Sequence, residues 1–223
     1  MRKNLLTFMV LICSVLLFSG KSFSQISFSA MDAPYNQAFD WWGTVDTSFT
    51  NNSAAFPGFY SFRTVDDVQP QLFRASNVGG SSYYGGAFYN FGDLNGVPGE
   101  RACGLIYASA TGPLAFGFRF KNNTGSTIRS LEIAFWGEQW GVGNTASSGG
   151  STLQTLFFDY LQGTEVTDLN AAGFVRFPAL FFDSPVTDGN RRALNGNLES
   201  NRTYKSAVID VTIPPGEEIM IRW

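Results

Sequence analysis

The sequence has 223 residues, of which 44% are hydrophobic and 15% are charged, with 22 phenylalanines, 24 glycines and no histidine. This length is enough for one large β-sandwich or barrel, and many aromatic residues and glycines favour strands joined by turns. The lack of histidine excludes Ser-His-Asp and Cys-His catalysis and His-ligated zinc. The net charge of −3 argues against nucleic-acid binding, which needs a basic surface.

The beginning of the chain is a predicted signal peptide, residues 1–24. Arg2 and Lys3 are positive, the following run is almost wholly apolar, and small Ser22 and Ser24 have the spacing of a signal peptidase site. We expect cleavage after Ser24 and a secreted or cell-surface protein that uses the export machinery. The apolar run is shorter than the roughly 20 residues of a membrane span, so no membrane span is expected. Cleavage removes three cations and no acid, which takes the net charge to −6.

The mature chain, residues 25–223, carries no long linker or charge block, and we predict a single domain. Segments with strand character recur between turn-rich stretches. The clearest are residues 26–31, 58–65, 87–91, 101–108, 152–161, 173–182, 206–213 and 218–223. Only residues 165–172 suggest a helix. These spacings predict an all-β, antiparallel, jelly-roll-like sandwich of roughly ten to twelve strands with at most one short helix.

The stretch from residue 114 to residue 140 has the clearest strand pattern. Every second residue from 116 to 120 is phenylalanine, and apolar alternation resumes from 131 to 135 after a polar Asn-Asn-Thr-Gly-Ser segment. Successive strand side chains point to opposite faces, so each half presents an apolar face to a core. The polar segment supplies turn residues. The pattern therefore predicts a β-hairpin at the centre of the fold.

Part of this stretch, Phe118 to Trp140, contains Asn-Asn-Thr-Gly followed by Gly-Glu-Gln-Trp. It resembles the N-terminal β-sandwich module of secreted and cell-surface proteins of Bacteroidetes-type bacteria. Shorter similarities lie at residues 35–40, 100–104 and 195–203. The resemblance implies export, and it implies that the module continues past Trp223 into a closing strand. On that basis we expect the chain to be the front of a longer protein, incomplete at its C-terminus.

Glu138 is the most conspicuous polar residue, because Trp136 and Trp140 flank it. One interpretation is a carboxylate with a raised pKa that acts on a sugar. A glycosidase needs a second carboxylate, for which Asp159 or Glu132 are candidates, although their spacing selects neither.

The other interpretation is that Glu138 is a structural residue. A buried carboxylate persists only when it is paired, and an arginine such as Arg101 or Arg129 would serve. We favour this interpretation, with Glu138 and Arg101 as structural polar residues, and we assign no catalytic residue.

Exposed aromatic rings are the remaining candidates for ligand binding, because their apolar faces match the C–H surfaces of sugars. The candidates that we select are Tyr83, Tyr84, Trp136 and Trp140, with Trp41 and Trp42 as further aromatic residues. Most large aromatic side chains of a phenylalanine-rich sandwich belong to its core. Tyr83 and Tyr84 lie in a Gly/Ser loop and have the strongest expectation of exposure.

A metal site is not predicted. Cys103 is the only cysteine of the mature chain, so no thiolate cluster or intrachain disulfide forms, and we interpret Cys103 as a small buried residue. Calcium needs only oxygen ligands, and the acidic turn at residues 183–190 is the place where it would bind. That turn lacks the regular aspartate spacing of a calcium-binding loop.

Three functions are compatible with these features. The first is a non-catalytic extracellular module of a larger protein, with a spacer, folding or adhesion role. The second is a carbohydrate-binding module, and the third is a jelly-roll carbohydrate-active enzyme that uses Glu138. Glycans or other surface proteins would be the partners, no cofactor is expected, and we favour the first function.

Overall fold

A computed structural model describes residues 25–77, 85–92, 100–143 and 153–223. Within these ranges the chain forms short and long strands, three single 3-10 turns and no α-helix. The predicted all-β, sandwich-like architecture is confirmed. The predicted signal peptide, residues 1–24, lies outside the described residues.

The strands are numbered in chain order. They are β1 (Ile26–Phe28), β2 (Thr47–Phe49), β3 (Phe59–Arg63), β4 (Gln71–Asn77), β5 (Ala87–Gly92), β6 (Arg101–Ile106), β7 (Leu114–Asn122), β8 (Ile128–Glu138), β9 (Gly141–Val142), β10 (Thr155–Leu156), β11 (Asp159–Gly163), β12 (Val175–Arg176), β13 (Phe182–Asp183), β14 (Arg192–Ala193), β15 (Arg202–Ile213) and β16 (Glu218–Arg222). The 3-10 turns are Asp40–Trp42, Pro178–Leu180 and Glu199–Asn201.

One layer of the sandwich is a six-stranded sheet built around β7. Its order is β1-β7-β16-β11-β12, and β3 pairs with β7 on the same side as β1. The β1–β7 pair is parallel and the other pairs are antiparallel. The sheet therefore joins strands from both ends of the chain.

The opposite layer consists of two separate sheets. The first has the order β2-β4-β5-β6, in which β4 and β5 are parallel. The second is a long antiparallel ribbon of β8 and β15, with Trp136 opposite Tyr204 and a bulge between Asp210 and Ile213. The layer is thus split, with β6 at the edge of one part and β8 at the edge of the other.

The core lies between these layers, and its largest cluster takes side chains from all three sheets. Phe59 and Phe118 come from the six-stranded sheet, Phe73 from the four-stranded sheet, and Ile209 and Ile213 from the ribbon. Alternation of apolar residues, which buries one face of each strand, accounts for these contributions.

β7 is buried on both faces, unlike the half-buried strand that its alternation predicts. Its phenylalanines enter the main core, while buried Arg119 on the other face lies beside a second cluster that includes Tyr60, Val166 and Met220. Gly117 lies on that second face, and a Cβ there would overlap the carbonyl oxygen of Ile221. The small residue at this position lets β16 approach β7 closely.

The predicted central hairpin is wrong. β7 pairs with β1, β3 and β16, whereas β8 pairs with β15 in the other layer. Asn122 explains the connection, because its Nδ2 donates to the carbonyl oxygens of Ser126 and Ile213, both at 2.7 Å. The polar segment therefore carries the chain across the core to the opposite sheet.

The helix suggested by residues 165–172 is also wrong, because this segment forms turns. Glu165 has a left-handed backbone with φ of 55°, and Asp168 Oδ1 accepts a hydrogen bond from the Asn170 N–H at 2.7 Å. Eight residues are too few for a stable isolated helix. Val166 and Leu169 instead bury their side chains against the outer face of the six-stranded sheet.

Nothing in the described ranges forms a helix with the length and apolar character of a bilayer-crossing segment.

Candidate functional site

Two aromatic rings lie side by side on the outer face of the β8–β15 ribbon. Trp136 and Tyr204 are directly opposite in the register, their ring centroids are 5.3 Å apart, and their exposed fractions are 50% and 53%. Such cross-strand pairs stabilise a sheet face. In this case the pair also presents an aromatic surface to solvent.

The next row along the ribbon is Glu138 opposite Arg202. The guanidinium carbon of Arg202 lies 4.4 Å from the ring centroid of Trp136, a cation–π geometry. Glu138 Oε2 accepts a hydrogen bond from the indole N–H of Trp140 at 3.0 Å. The row therefore places one carboxylate and one guanidinium beside the exposed aromatic pair.

Burial raises the pKa of Glu138 to about 7, which is well above its usual range near 4.5. The hydrogen bond from Trp140 and the charge of Arg202 lower this pKa, while the nearby charge of Glu100 raises it. Glu138 therefore changes charge near neutral pH.

Replacing Glu138 with glutamine tests this raised pKa. An acid whose pKa is higher in the folded than in the unfolded state stabilises the fold below about pH 4.5, and this contribution is lost as the pH rises through about 7. At pH 8 we expect Glu138→Gln to raise the free energy of unfolding by about 1–2 kcal/mol, after allowance for the partial exposure of the side chain. At pH 4 the difference from wild type should vanish.

Urea denaturation at pH 4 and pH 8 measures the effect of Glu138→Gln on the free energy of unfolding, with the substitution of exposed Glu132 by glutamine as the control. A gain that is equal at pH 4 and pH 8 would contradict the raised pKa.

The carboxylates offered as partners of Glu138 in catalysis lie elsewhere. Glu132 is six residues away along β8, which corresponds to roughly 20 Å at the rise of a strand. Asp159 lies in β11, where it binds Arg176 and Arg222 with N–O distances of 3.1 and 3.0 Å. A glycosidase pair needs a separation of roughly 5–10 Å. The Glu132 pair lacks that spacing, and both oxygens of Asp159 are occupied by arginines.

The predicted pairing of Glu138 with Arg101 is wrong. Among the described residues the ion pairs do not include one between them. Arg101 is nonetheless a buried structural residue: its Nε donates to Asn90 Oδ1 at 2.8 Å, and its backbone N–H donates to Asp40 Oδ1 at 3.0 Å. Arg101 therefore ties β6 to β5 and to the 3-10 turn at residues 40–42.

The aromatic candidates divide between the surface and the core. Trp136 is exposed as a ligand-binding role requires, whereas Trp140 is buried and stacks on Phe91 with centroids 5.9 Å apart. Trp42 is also buried, and Trp41 is exposed. Tyr83 and Tyr84 lie outside the described residues.

The acidic turn at residues 183–190 has its carboxylates occupied. Asp188 receives two hydrogen bonds of 2.8 Å from Arg192, which hold the pKa of that carboxyl at about 2. Asp183 accepts a hydrogen bond from Thr155 Oγ1. In the described part of the chain no three acidic or cysteine side chains cluster as metal ligands.

A long groove separates β6 from β8. It has a volume of about 1210 Å³, above the roughly 300–1,000 Å³ of small-molecule pockets. Residues 102–106 of β6 and the whole of β8 line it, together with core residues such as Phe116, Phe118 and Trp223. The groove thus opens the apolar core at the split in the second layer.

The strand edges on both sides of this groove present backbone groups to it. The backbone N–H of Gln139 donates to the Asn201 carbonyl oxygen. Because hydrogen-bonded and non-hydrogen-bonded positions alternate in an antiparallel pair, the backbone N–H and C=O groups of Glu132 and Ala134 point away from β15. The backbone N–H of Arg101 donates to Asp40 and not to β5. By the same alternation, the backbone N–H and C=O groups of Cys103 and Leu105 also point away from β5. In the described ranges no strand pairs with these sides of β6 and β8.

Tyr204 and Arg202 are the site residues that sequence reasoning missed. They lie more than sixty positions from Trp136, and only the β8–β15 register makes them neighbours. One signal in the sequence could have found Tyr204. Apolar residues alternate from 206 to 213, and the same alternation, continued towards the N-terminus, places Tyr204 on the face opposite Ala207.

Compared with known proteins, the chain matches no family model, no curated protein and no solved structure.

Proposed function

We propose that this chain is a non-catalytic β-sandwich module of a larger secreted or cell-surface protein, and that the groove between β6 and β8 holds one extended strand of that protein. The observation that carries the proposal is that two strand edges, neither of which pairs with another strand in the described ranges, face one apolar groove. Such edges are templates for a further strand, and folded proteins normally cover them.

The lining of the groove agrees with a strand as its occupant. Cys103 and Leu105 of β6 and Ile133 and Phe135 of β8 are only partly buried, although all four pack against the main core. An inserted strand with apolar residues at alternate positions would complete their burial and pair both edges. Its other face would point to solvent and would be polar.

The occupant that we propose is the closing strand that the resemblance implies after Trp223. Trp223 lines the groove, and its ring lies 5.3 Å from that of Phe135 on β8. A strand that begins there needs no long connection to enter the groove. The closing strand would thus have a structural role. Such a role fits a module with a spacer, folding or adhesion function, which the sequence favours over an enzymatic function.

Amide hydrogen exchange tests the proposal. In the chain that ends at Trp223, the amides of Cys103, Leu105, Glu132 and Ala134 should exchange rapidly, because they face the open groove. In the protein encoded by the whole gene, they should exchange at least about 100-fold more slowly, since a paired strand would protect them.

The neighbouring residues Gly104 and Ile133 provide the control, because their amides face β5 and β15 and should be protected in both proteins. Equal exchange of the groove-facing amides in the two proteins, or a gene product that ends at Trp223, would contradict the proposal.

A further inference from the structure

We propose that the outer face of the β8–β15 ribbon is a carbohydrate-binding platform, in which Trp136 and Tyr204 stack on a pyranose ring and Arg202 and Glu138 bind its hydroxyl groups. This inference goes beyond the structural role above. Trp136 and Glu138 also border the groove, but the platform consists of side chains on the outer face of the ribbon, whereas the strand would pair with the backbone edge of β8 and cover its inner face.

The shape of the face favours a flat ligand. Next to the Trp136–Tyr204 row lies the row of Ala134 and Ser206, whose small side chains leave a shallow step beside the rings. Beyond this step lies Val208, which is 56% exposed. The rows thus form a shallow surface with aromatic rings at one end and a low floor beside them.

The rings are oriented before any ligand binds. Trp136 has Tyr204 at 5.3 Å on one side and the Arg202 guanidinium at 4.4 Å, so its position is fixed by two neighbours on the same ribbon. Half of its surface nevertheless remains exposed. A rigid, half-exposed aromatic ring loses little conformational entropy on binding, which favours affinity.

Polar groups border the aromatic pair at both ends. Arg202 donates hydrogen bonds and Glu138 accepts them at one end, and exposed Glu132 lies two rows away at the other end. A sugar offers an apolar C–H face with hydroxyl groups around its rim, so its chemistry matches rings that are edged by donors and acceptors. A purely apolar protein partner would leave the Glu132 carboxylate without a hydrogen-bond donor.

Isothermal titration calorimetry of the mature chain with cellohexaose, xylohexaose, mannohexaose and laminarihexaose tests the platform. We expect at least one of these oligosaccharides to bind, and we expect Trp136→Ala and Tyr204→Ala each to weaken that binding by about tenfold or more. Trp136→Phe, which keeps an aromatic ring, should lose less affinity for the oligosaccharide than Trp136→Ala.

Trp41→Ala is the matched control, because Trp41 is as exposed as Trp136 and lies on a different element. Its binding should equal that of wild type. Thermal unfolding of each variant shows whether the fold is intact, and Trp136→Phe keeps the test valid if an alanine variant does not fold. The proposal is overturned if none of the four oligosaccharides binds, or if the Trp136 variants bind as tightly as wild type.

Discussion

Replacing Arg119 with methionine is expected to lower the free energy of unfolding by about 3–5 kcal/mol, because it leaves a buried carboxylate without its cationic partner. Arg119 and Glu218 are 5% and 2% exposed, and the two arginine nitrogens that face Glu218 donate at 2.9 and 2.8 Å. The Arg119 guanidinium also donates to the Tyr60 hydroxyl, at 3.3 Å. The ion pair joins β7 to β16 on the outer face of the large sheet.

A double variant separates the lost pairing from the lost packing. Arg119→Met with Glu218→Gln removes the unpaired charge, so it should be more stable than Arg119→Met alone by more than about 1 kcal/mol in urea denaturation. Arg192→Met is the matched control. It breaks a two-pronged pair with Asp188 on the surface, where solvent screening leaves little to lose. Equal losses for the Arg119 and Arg192 variants would contradict a special role of the buried pair.

Replacing Phe59 with alanine is expected to destabilise the protein by a similar amount, about 3–5 kcal/mol, because it opens a cavity in the centre of the core. Phe59 is 0% exposed, and its ring lies 4.5 Å from that of Phe56, 4.9 Å from Phe49 and 5.2 Å from Phe118. These neighbours come from both layers of the sandwich, so no single shift of one strand fills the space.

Phe157→Ala controls for the loss of a phenylalanine as such. Phe157 is 44% exposed, so its removal should cost less than about 1 kcal/mol. Thermal and urea unfolding of both variants give the comparison. A loss for Phe59→Ala as small as that for Phe157→Ala would mean that the core relaxes around the missing ring.

Alternation of apolar residues was sufficient to predict the sandwich. The phenylalanines at 116, 118 and 120 are buried together, as their spacing requires. The same pattern does not reveal that the other face of β7 is also covered, because Ala115, Gly117 and Arg119 on that face do not form an apolar stripe. Its partner Glu218 is 99 positions away, and only the β7–β16 register brings the two side chains together.

The two wrong predictions about the fold, the central hairpin and the helix, both come from interpreting local sequence without tertiary contacts. Asn-Asn-Thr-Gly-Ser has the residues of a hairpin turn, but Asn122 uses its side chain to bind Ile213 of β15, a contact between distant segments. Residues 165–172 have a weakly helical composition, but burial of Val166 and Leu169 against the sheet determines their structure. In both places tertiary contacts outweigh local propensity.

The candidate site was half predictable. Trp136, Glu138 and Trp140 alternate, which suggests one common face, but β8 ends at Glu138 and Trp140 turns into the layer beside Phe91. Trp136 is among the aromatic residues that the sequence offers for ligand binding, and the structure places it on the surface. Its cross-strand partner Tyr204 was not, because strand register over such a separation cannot be read from composition or periodicity.

The position of β7 at the middle of the large sheet sets the order of assembly. On one side β7 pairs with strands that precede it, β1 and β3, and on the other side it pairs with β16, which begins at Glu218. During synthesis the N-terminus emerges first. The edge of β7 that pairs with β16 therefore has no strand partner until nearly all of the 223 residues have been made. Because such distant pairings are slow to find, we expect folding in milliseconds to seconds and only after synthesis of this region is finished.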